Sequence, residues 1–194
     1  MIRLADNTPE IALGFEDEVW WSRETHPQMH TWSDTEPLRL VEQHGPAGDP
    51  ERKAIACYAL YLPAVSHMLL RFVQGRPTSA VTCAFLAWLA AYFTAQGKRA
   101  LFLIWENASW HISPAVHAGL KAYNRQAKHT GECRLILCRL PTKSPWLNPI
   151  EPRWVQGKRA VAEPARLLSM TELMHRVCAS YKCELTDPIA QAEC

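Results

Sequence analysis

Hydrophobic and polar positions alternate loosely from Ile11 to Arg23, in a run rich in Val, Phe and Trp, and this pattern predicts a strand. His26-Pro27 breaks it. Thr31 to Gln43 reads as a second extended stretch, a short strand with a turn. Gly-Pro-Ala-Gly-Asp-Pro at 45–50 is a loop. Lys53 to Leu62 predicts a third strand, and His67 to Gln74 a short fourth that ends at Gly75-Arg76-Pro77. The period then changes. Val81, Phe85, Leu86, Trp88, Leu89, Tyr92 and Phe93 place apolar side chains nearly all round a helix from Thr78 to Gln96, which must be buried against a sheet. Thr78 or Ser79 caps its start and Gly97 ends it. Ala100 to Trp105 is a buried strand that stops at Glu106-Asn107. Ser113-Pro114 opens a helix to about Thr130, and Arg134 to Leu140 is the last strand. A helix from Pro149 breaks near Pro164, and Met170 to Cys183 forms the final one. Hairpin strands followed by alternating strands and helices predict an α/β domain, one mixed sheet with helices on its faces.

The segment between the last strand and the next helix is Ser144 to Trp154, Ser-Pro-Trp-Leu-Asn-Pro-Ile-Glu-Pro-Arg-Trp. Pro145 and Pro149 hold it extended and stiff. Asn148 before Pro149 reads as an N-cap followed by a proline at the first helical position, which puts Glu151 third. Two readings of Glu151 are open. It closes a capping box with Asn148, or it holds a carboxylate at a strand-to-helix junction. Two other acids are placed alike: Asp17 on the first strand and Glu106 at the end of the strand after the buried helix. If these strands are neighbours, the three carboxylates converge, and they repel unless cations sit between them. Hard oxygen donors suit Mg²⁺ or Mn²⁺. Two such ions about 3.5–4 Å apart activate a water and stabilise the leaving oxygen in phosphodiester chemistry. Three adjacent acids inside an apolar strand are unusual, because a buried carboxylate needs a partner or a metal. Side chains alternate along a strand, so Glu16 and Glu18 should face away from Asp17, which argues against them as ligands.

The 194 residues suffice for one domain with a core, and 48% hydrophobic content excludes a disordered or fibrous chain. No apolar run reaches membrane-spanning length; Ala80 to Phe93 falls about four residues short. Met1 to Glu10 has no apolar core and does not read as a signal peptide. There are seven cysteines. Cys133/Cys138 and Cys178/Cys183 have spacings that suit neither a zinc knuckle nor a redox pair, and the thiols read as reduced and cytoplasmic. The net charge of +2 hides an asymmetry. Residues 1–60 hold 11 acids and 5 bases, whereas residues 121–166 hold 3 acids and 10 bases. That basic block surrounds Ser144 to Trp154. It is either a solvated face or a surface for a polyanion.

Three segments together resemble the catalytic domain of DDE transposases, in the bacterial insertion-sequence branch of the mariner superfamily. They are Phe15-Glu16-Asp17-Glu18-Val19-Trp20, Leu103-Ile104-Trp105-Glu106-Asn107-Ala108-Ser109-Trp110-His111, and Leu140-Pro141 with Ser144 to Glu151. The resemblance covers about residues 11–165. It implies a ribonuclease H-like fold, a mixed central sheet with helices on both faces. It implies that Asp17, Glu106 and Glu151 are the catalytic acids and bind two Mg²⁺ ions, with Mn²⁺ as a substitute. The family's enzymes hydrolyse a strand at the transposon's ends, and the freed 3′-hydroxyl attacks target DNA. Asn107, His111 and Asn148 are the candidate supporting residues; for His111, a helix-capping or core role stands beside that one. Lys143, Arg153, Lys158 and Arg159 are candidate phosphate contacts, which position DNA without choosing sequence. Ser144 joins them, and Trp146 either stacks on DNA or packs.

The same resemblance implies DNA as the partner, a homodimer, and a bacterial cytoplasmic location on the nucleoid. Two departures stand out. The family usually has Asp where this chain has Glu106, and the extra methylene moves the carboxylate by on the order of 1 Å, enough to matter in catalysis. Family members usually carry an N-terminal helix-turn-helix region, for which the ten or so residues before the first strand leave no room. The expectation is therefore a bare catalytic domain, a truncated or split reading frame, or a domesticated remnant, with a single domain over 1–194, its core at about 11–165 and a C-terminal helix at about 170–183. A separate helix-turn-helix protein would then supply DNA reading. Two rival classes remain: an inactive DNA- or partner-binding remnant, and a nuclease of the same fold that cuts without joining.

Overall fold

In the computed structural model, which describes residues 8–24, 30–31, 38–39, 44–142, 144–163 and 166–190, the expected strands and helices fall close to their places. They are β1 (Ile11–Ser22), β2 (His30–Thr31), β3 (Leu38–Arg39), β4 (Ala54–Leu62), β5 (His67–Val73), α1 (Ser79–Ala95), β6 (Ala100–Trp105), α2 (Pro114–Thr130), β7 (Arg134–Arg139), α3 (Glu151–Val161) and α4 (Met170–Tyr181). β2 and β3 pair antiparallel as a two-residue ribbon. The rest of the extended stretch expected over Thr31 to Gln43 lies outside the described residues.

The main sheet has the order β5-β4-β1-β6-β7. β4 runs antiparallel to both β1 and β5, whereas β1, β6 and β7 are mutually parallel. Connection length explains the mixture. β4 and β5 are joined by one 3₁₀ turn, Pro63–Val65, and Ser66 takes the left-handed conformation (φ 49) that returns the chain. The parallel strands need crossovers, which α1 and α2 supply. These two helices cover one face, where Phe85, Leu89 and Phe93 pack on Tyr58, Leu60, Leu101 and Leu103. On the opposite face α3 and α4 bring Trp154, Val161, Leu173 and Val177 against Phe15, Val19, Trp21 and Phe72. Among the described residues no helix is long and apolar enough to cross a membrane.

α1 looked apolar all round, yet it buries a single stripe of Val81, Phe85, Leu86, Leu89, Ala90 and Phe93. Trp88 is half-buried on the flank, with the Arg71 guanidinium 5.1 Å above its ring. The start of α3 corrects an expectation. The helix begins at Glu151, not Pro149, and no side chain caps it. Asn148 has an extended backbone. Its Oδ1 accepts from Ile150 N at 3.3 Å, and its Nδ2 donates across the fold to the carbonyl of Glu16 at 3.1 Å. Glu151 is therefore the first helical residue, and its carboxylate is not held in a capping box with Asn148. The true box is at α4, between Ser169 and Glu172.

α3 lies close to its neighbours because Gly157 faces Tyr181 and Trp21; a Cβ there would strike the Tyr181 hydroxyl. That hydroxyl donates to the Arg153 carbonyl at 2.8 Å, so it cannot easily move aside. At the outer edge of β5, Ile189 adds one parallel bridge to Val73. Ile189 N donates to Phe72 O at 2.8 Å and Gln74 N donates to Ile189 O at 2.9 Å.

Candidate active site

The pairing of β1 with β6 ends at Phe15 and Ile104. Residues 16–22 continue beside β4 alone. The three adjacent acids of β1 thus stand where β6 has left the sheet, and Glu106 follows its last residue. Asp17 turns to the α3 face, where Trp154 Nε1 donates to its Oδ2 at 2.8 Å. Glu16 and Glu18 turn to the other face, as alternation predicts. There His111 Nε2 lies 2.8 Å from Glu18 Oε1, and Trp110 Nε1 donates to the same oxygen at 2.6 Å. His111 is fully buried, stacked on Trp105 with ring centres 4.4 Å apart, and its Nδ1 lies 3.3 Å from the Glu106 carbonyl.

Alternation gives the direction of Glu18, and the Glu18 carboxylate nevertheless stands close to those of Asp17 and Glu106. Its side chain is only 6% exposed, under Trp110 and His111. Asp17, Glu18 and Glu106 each offer an oxygen, all within 4.8 Å of one another. Glu151 stands outside this close set. It lines an open cleft of about 220 Å³ together with Glu106, Asn107, Leu140, Ser144 and Asn148. Its charge is near enough to push the carboxyls of Asp17 and Glu106 upward.

The three candidate supporting residues all tie down segments that carry acids. Asn107 Nδ2 donates to the Leu140 carbonyl at 2.8 Å, fastening the end of β6 to the end of β7. Asn148 fastens the loop before α3 to β1 beside Asp17. His111 links Glu18 to the Glu106 backbone. The candidate DNA contacts are more scattered. Ser144 lines the cleft, and Trp146 beside it is 75% exposed, so packing does not account for it. Lys158 and Arg159 are exposed near the end of α3, about 10 Å from Glu151 along the helix. Arg153 faces elsewhere: its Nη2 donates to Tyr61 Oη at 2.9 Å and Ser66 Oγ at 3.1 Å, and the guanidinium lies 4.9 Å above the Tyr61 ring. Lys143 lies outside the described residues. Sequence reasoning missed Trp154 as the donor to Asp17. The available signal was its spacing, since three residues after Glu151 is the same helix face.

Burial raises the Asp17 carboxyl from near 3.8 to about 7; Trp154 opposes this, and Glu151, Glu18 and Glu106 add to it. Burial and then the Glu18 charge raise Glu106. Among the described residues, no lysine or arginine pairs with Asp17, Glu18, Glu106 or Glu151. Crowded, uncompensated oxygen donors fit a hard divalent cation. They also give a pH dependence. Between about pH 4 and 7 the folded protein keeps the Asp17 proton that the unfolded chain has lost. Metal-free stability therefore falls as pH rises through that window, by about 1.4 kcal/mol per unit for one such proton. Thermal melts in chelator should drop from pH 5 to pH 8, and a divalent ion at pH 8 should recover the loss. A flat profile would show that the Asp17 carboxyl is not raised.

Residues 67–174 match the family model for the DDE superfamily endonuclease. That is more than half of the chain and includes Glu106 and Glu151. The chain belongs to the DDE superfamily endonucleases. Its fold is similar to that of the Mos1 transposase in a paired-end complex with the left transposon end, with a TM-score of 0.65 and 14% identity over 89% of this chain and 48% of that one. It is also similar to the catalytic domain of the Mos1 mariner transposase, with a TM-score of 0.60 and 14% identity over 94% of this chain and 76% of that one. A simian T-cell lymphotropic virus intasome gives a TM-score of 0.52 at 9% identity, over 94% of this chain and 58% of that one. At such identities the likeness establishes the fold, which is ribonuclease H-like. The chain spans about half the length of the first of these transposases. A comparison with curated proteins finds no match.

Proposed function

We propose that this chain is the catalytic domain of a DNA transposase, in which Asp17, Glu106 and Glu151 hold two Mg²⁺ ions for strand cleavage and transfer at transposon ends. The observation that carries the reading is the gathering of like-charged acids: Asp17 and Glu18 of β1 with Glu106 after β6 in one close oxygen set, and Glu151 of α3 beside Glu106 on an open cleft, with no counter-cation among the described residues. Family membership supports it, as does the likeness to a transposase seen on its transposon end. Bound ions, Mg²⁺ or Mn²⁺, would supply an activated water and stabilise the leaving oxygen. The chain's own groups orient the site: Trp154 holds Asp17, Asn148 and Asn107 fix the walls, and Glu18 adds a fourth carboxylate. Trp146 offers a stacking surface beside the cleft, and Ser144, Lys158 and Arg159, with Lys143, meet phosphates. Arg153 instead braces α3 against Tyr61. A homodimer and a bacterial nucleoid location belong to the same reading.

A second reading, a remnant that binds DNA without cutting, is favoured by Glu106 in place of Asp and by Glu151 lying outside the close oxygen set. Metal-dependent nicking of a supercoiled plasmid separates the two. A strand-transfer assay with a precut 3′-hydroxyl end separates a transposase from a nuclease of the same fold. Binding should be weak and indifferent to sequence, with affinity falling steeply as salt rises for two unrelated duplexes alike. A flat salt response in shift titrations, or strong preference for one duplex, would count against it.

A further inference from the structure

Glu16 is the least satisfied acidic side chain in the described structure. It is 1% exposed, and neither carboxylate oxygen makes a hydrogen bond. A buried carboxylate in that condition is costly unless something positive reaches it. Glu16 Oε2 lies 3.4 Å from His111 Nε2, the same nitrogen that lies 2.8 Å from Glu18 Oε1. Glu16, Glu18 and His111 each offer one donor atom, all within 4.8 Å of one another.

The tautomer of a neutral His111 ring follows from its other nitrogen. Nδ1 faces the Glu106 carbonyl, which can only accept, so Nδ1 carries a hydrogen. In the neutral ring Nε2 is then a lone pair aimed at two carboxylates. This arrangement, with one imidazole nitrogen held by a backbone carbonyl and the other free, is how proteins orient a metal-binding histidine. A proton on Nε2 would be donated to Glu18 at 2.8 Å, which Trp110 already supplies, and would meet Glu16 only as a charge at 3.4 Å, without a hydrogen bond. The separations of 2.8 and 3.4 Å bracket the donor–donor edges, about 3.0–3.4 Å, of a metal shell with bonds of about 2.1 Å.

We propose that Glu16, Glu18 and His111 form a second metal site, behind the catalytic cleft, that takes a first-row transition ion such as Mn²⁺ or Zn²⁺. The imidazole sets the preference, because Mg²⁺ favours all-oxygen shells and gains little from a nitrogen donor. Glu18 belongs to both close sets, so this ion would fix the carboxylate that the two sites share. The proposal rests on these three side chains and not on the reading of the cleft as catalytic.

The test is pulsed electron paramagnetic resonance of Mn²⁺ bound to the whole chain. An oxygen-only cleft gives no nitrogen coupling, whereas this site does. Coupling should appear in the unmutated protein, change pattern on ¹⁵N-histidine labelling, and survive excess Mg²⁺. It should also persist in the double variant Asp17→Asn/Glu151→Gln, whatever that variant does to cleavage. Glu16→Gln should weaken the nitrogen-coupled Mn²⁺ by about tenfold or more, since even indirect partners of metal ligands cost that much. If the unmutated protein binds Mn²⁺ without nitrogen coupling, or Glu16→Gln leaves the coupling unchanged, the proposal is overturned. Glu16 would then be neutralised by a proton. The labelling and Mg²⁺ experiments need no variant, so a misfolded Glu16→Gln would not protect the idea.

Discussion

Asp17→Asn should lower Mg²⁺-dependent plasmid nicking by roughly a thousand-fold or more, about 4 kcal/mol at the transition state, with the fold retained. The side chain belongs to the close oxygen set and is 7% exposed. Asparagine keeps its shape, and its amide oxygen can still accept from Trp154 Nε1, so packing on α3 survives. What disappears is the negative charge that a cation would need. Because that charge is buried among other acids, removing it should leave the metal-free melting temperature at pH 8 equal or higher. The opposite movement of activity and stability is the signature, since simple unfolding would lower both. Glu151→Gln should lose cleavage likewise. A rate near that of the unmutated protein for either variant would remove that acid from the catalytic set.

Glu106→Asp should speed Mg²⁺-dependent nicking, by roughly tenfold to a hundred-fold. The backbone at this position is firmly held: Asn107 fastens it to Leu140, and His111 contacts the Glu106 carbonyl. The extra methylene therefore cannot be absorbed by shifting the strand end. The side chain must fold back or the ion must move, and Mg²⁺ tolerates little departure from octahedral geometry. Mn²⁺ should partly rescue the unmutated protein because it is larger and less strict. Single-turnover nicking by both proteins in each ion measures this. If Glu106→Asp is no faster in Mg²⁺, Glu106 is well accommodated or is not a ligand, and a metal-bound structure decides which.

The parts of the fold legible in the sequence were those set by local pattern. β6 and the start of α2 fall where periodicity and the Ser113-Pro114 signal put them. The errors came from contacts between distant segments. Asn148-Pro149 is a sound local cap signal, but the Asn148 side chain is drawn to the Glu16 carbonyl, 132 positions away. Alternation along β1 gives the faces of Glu16 and Glu18 correctly, but not where the neighbouring strand stops, and that decides what Glu18 can reach. The charge of Arg153 suggests phosphate; its contacts to Tyr61 and Ser66 were not legible, because they come from a hairpin nothing in the local sequence connects to α3. The acids themselves were visible because each lies on or just after a recognisable strand or turn. The Glu16–His111 contact was not, since it depends on the loop after β6 folding back under β1.

The Ile189 bridge on β5 bears on how such a sheet associates with copies of itself. An exposed strand edge is a template for another chain. The C-terminal segment shields part of one edge with its own main chain, and Arg71 Nη2 secures it further by donating to the Asp187 carbonyl at 2.9 Å. The other edge, β7, pairs only with β6 among the described residues and carries exposed Arg134 and Arg139 at its two ends. Growth by edge-to-edge stacking needs two open edges on every molecule. To the extent that Ile189 blocks β5, such stacking can join two copies through β7 and then has nowhere to continue.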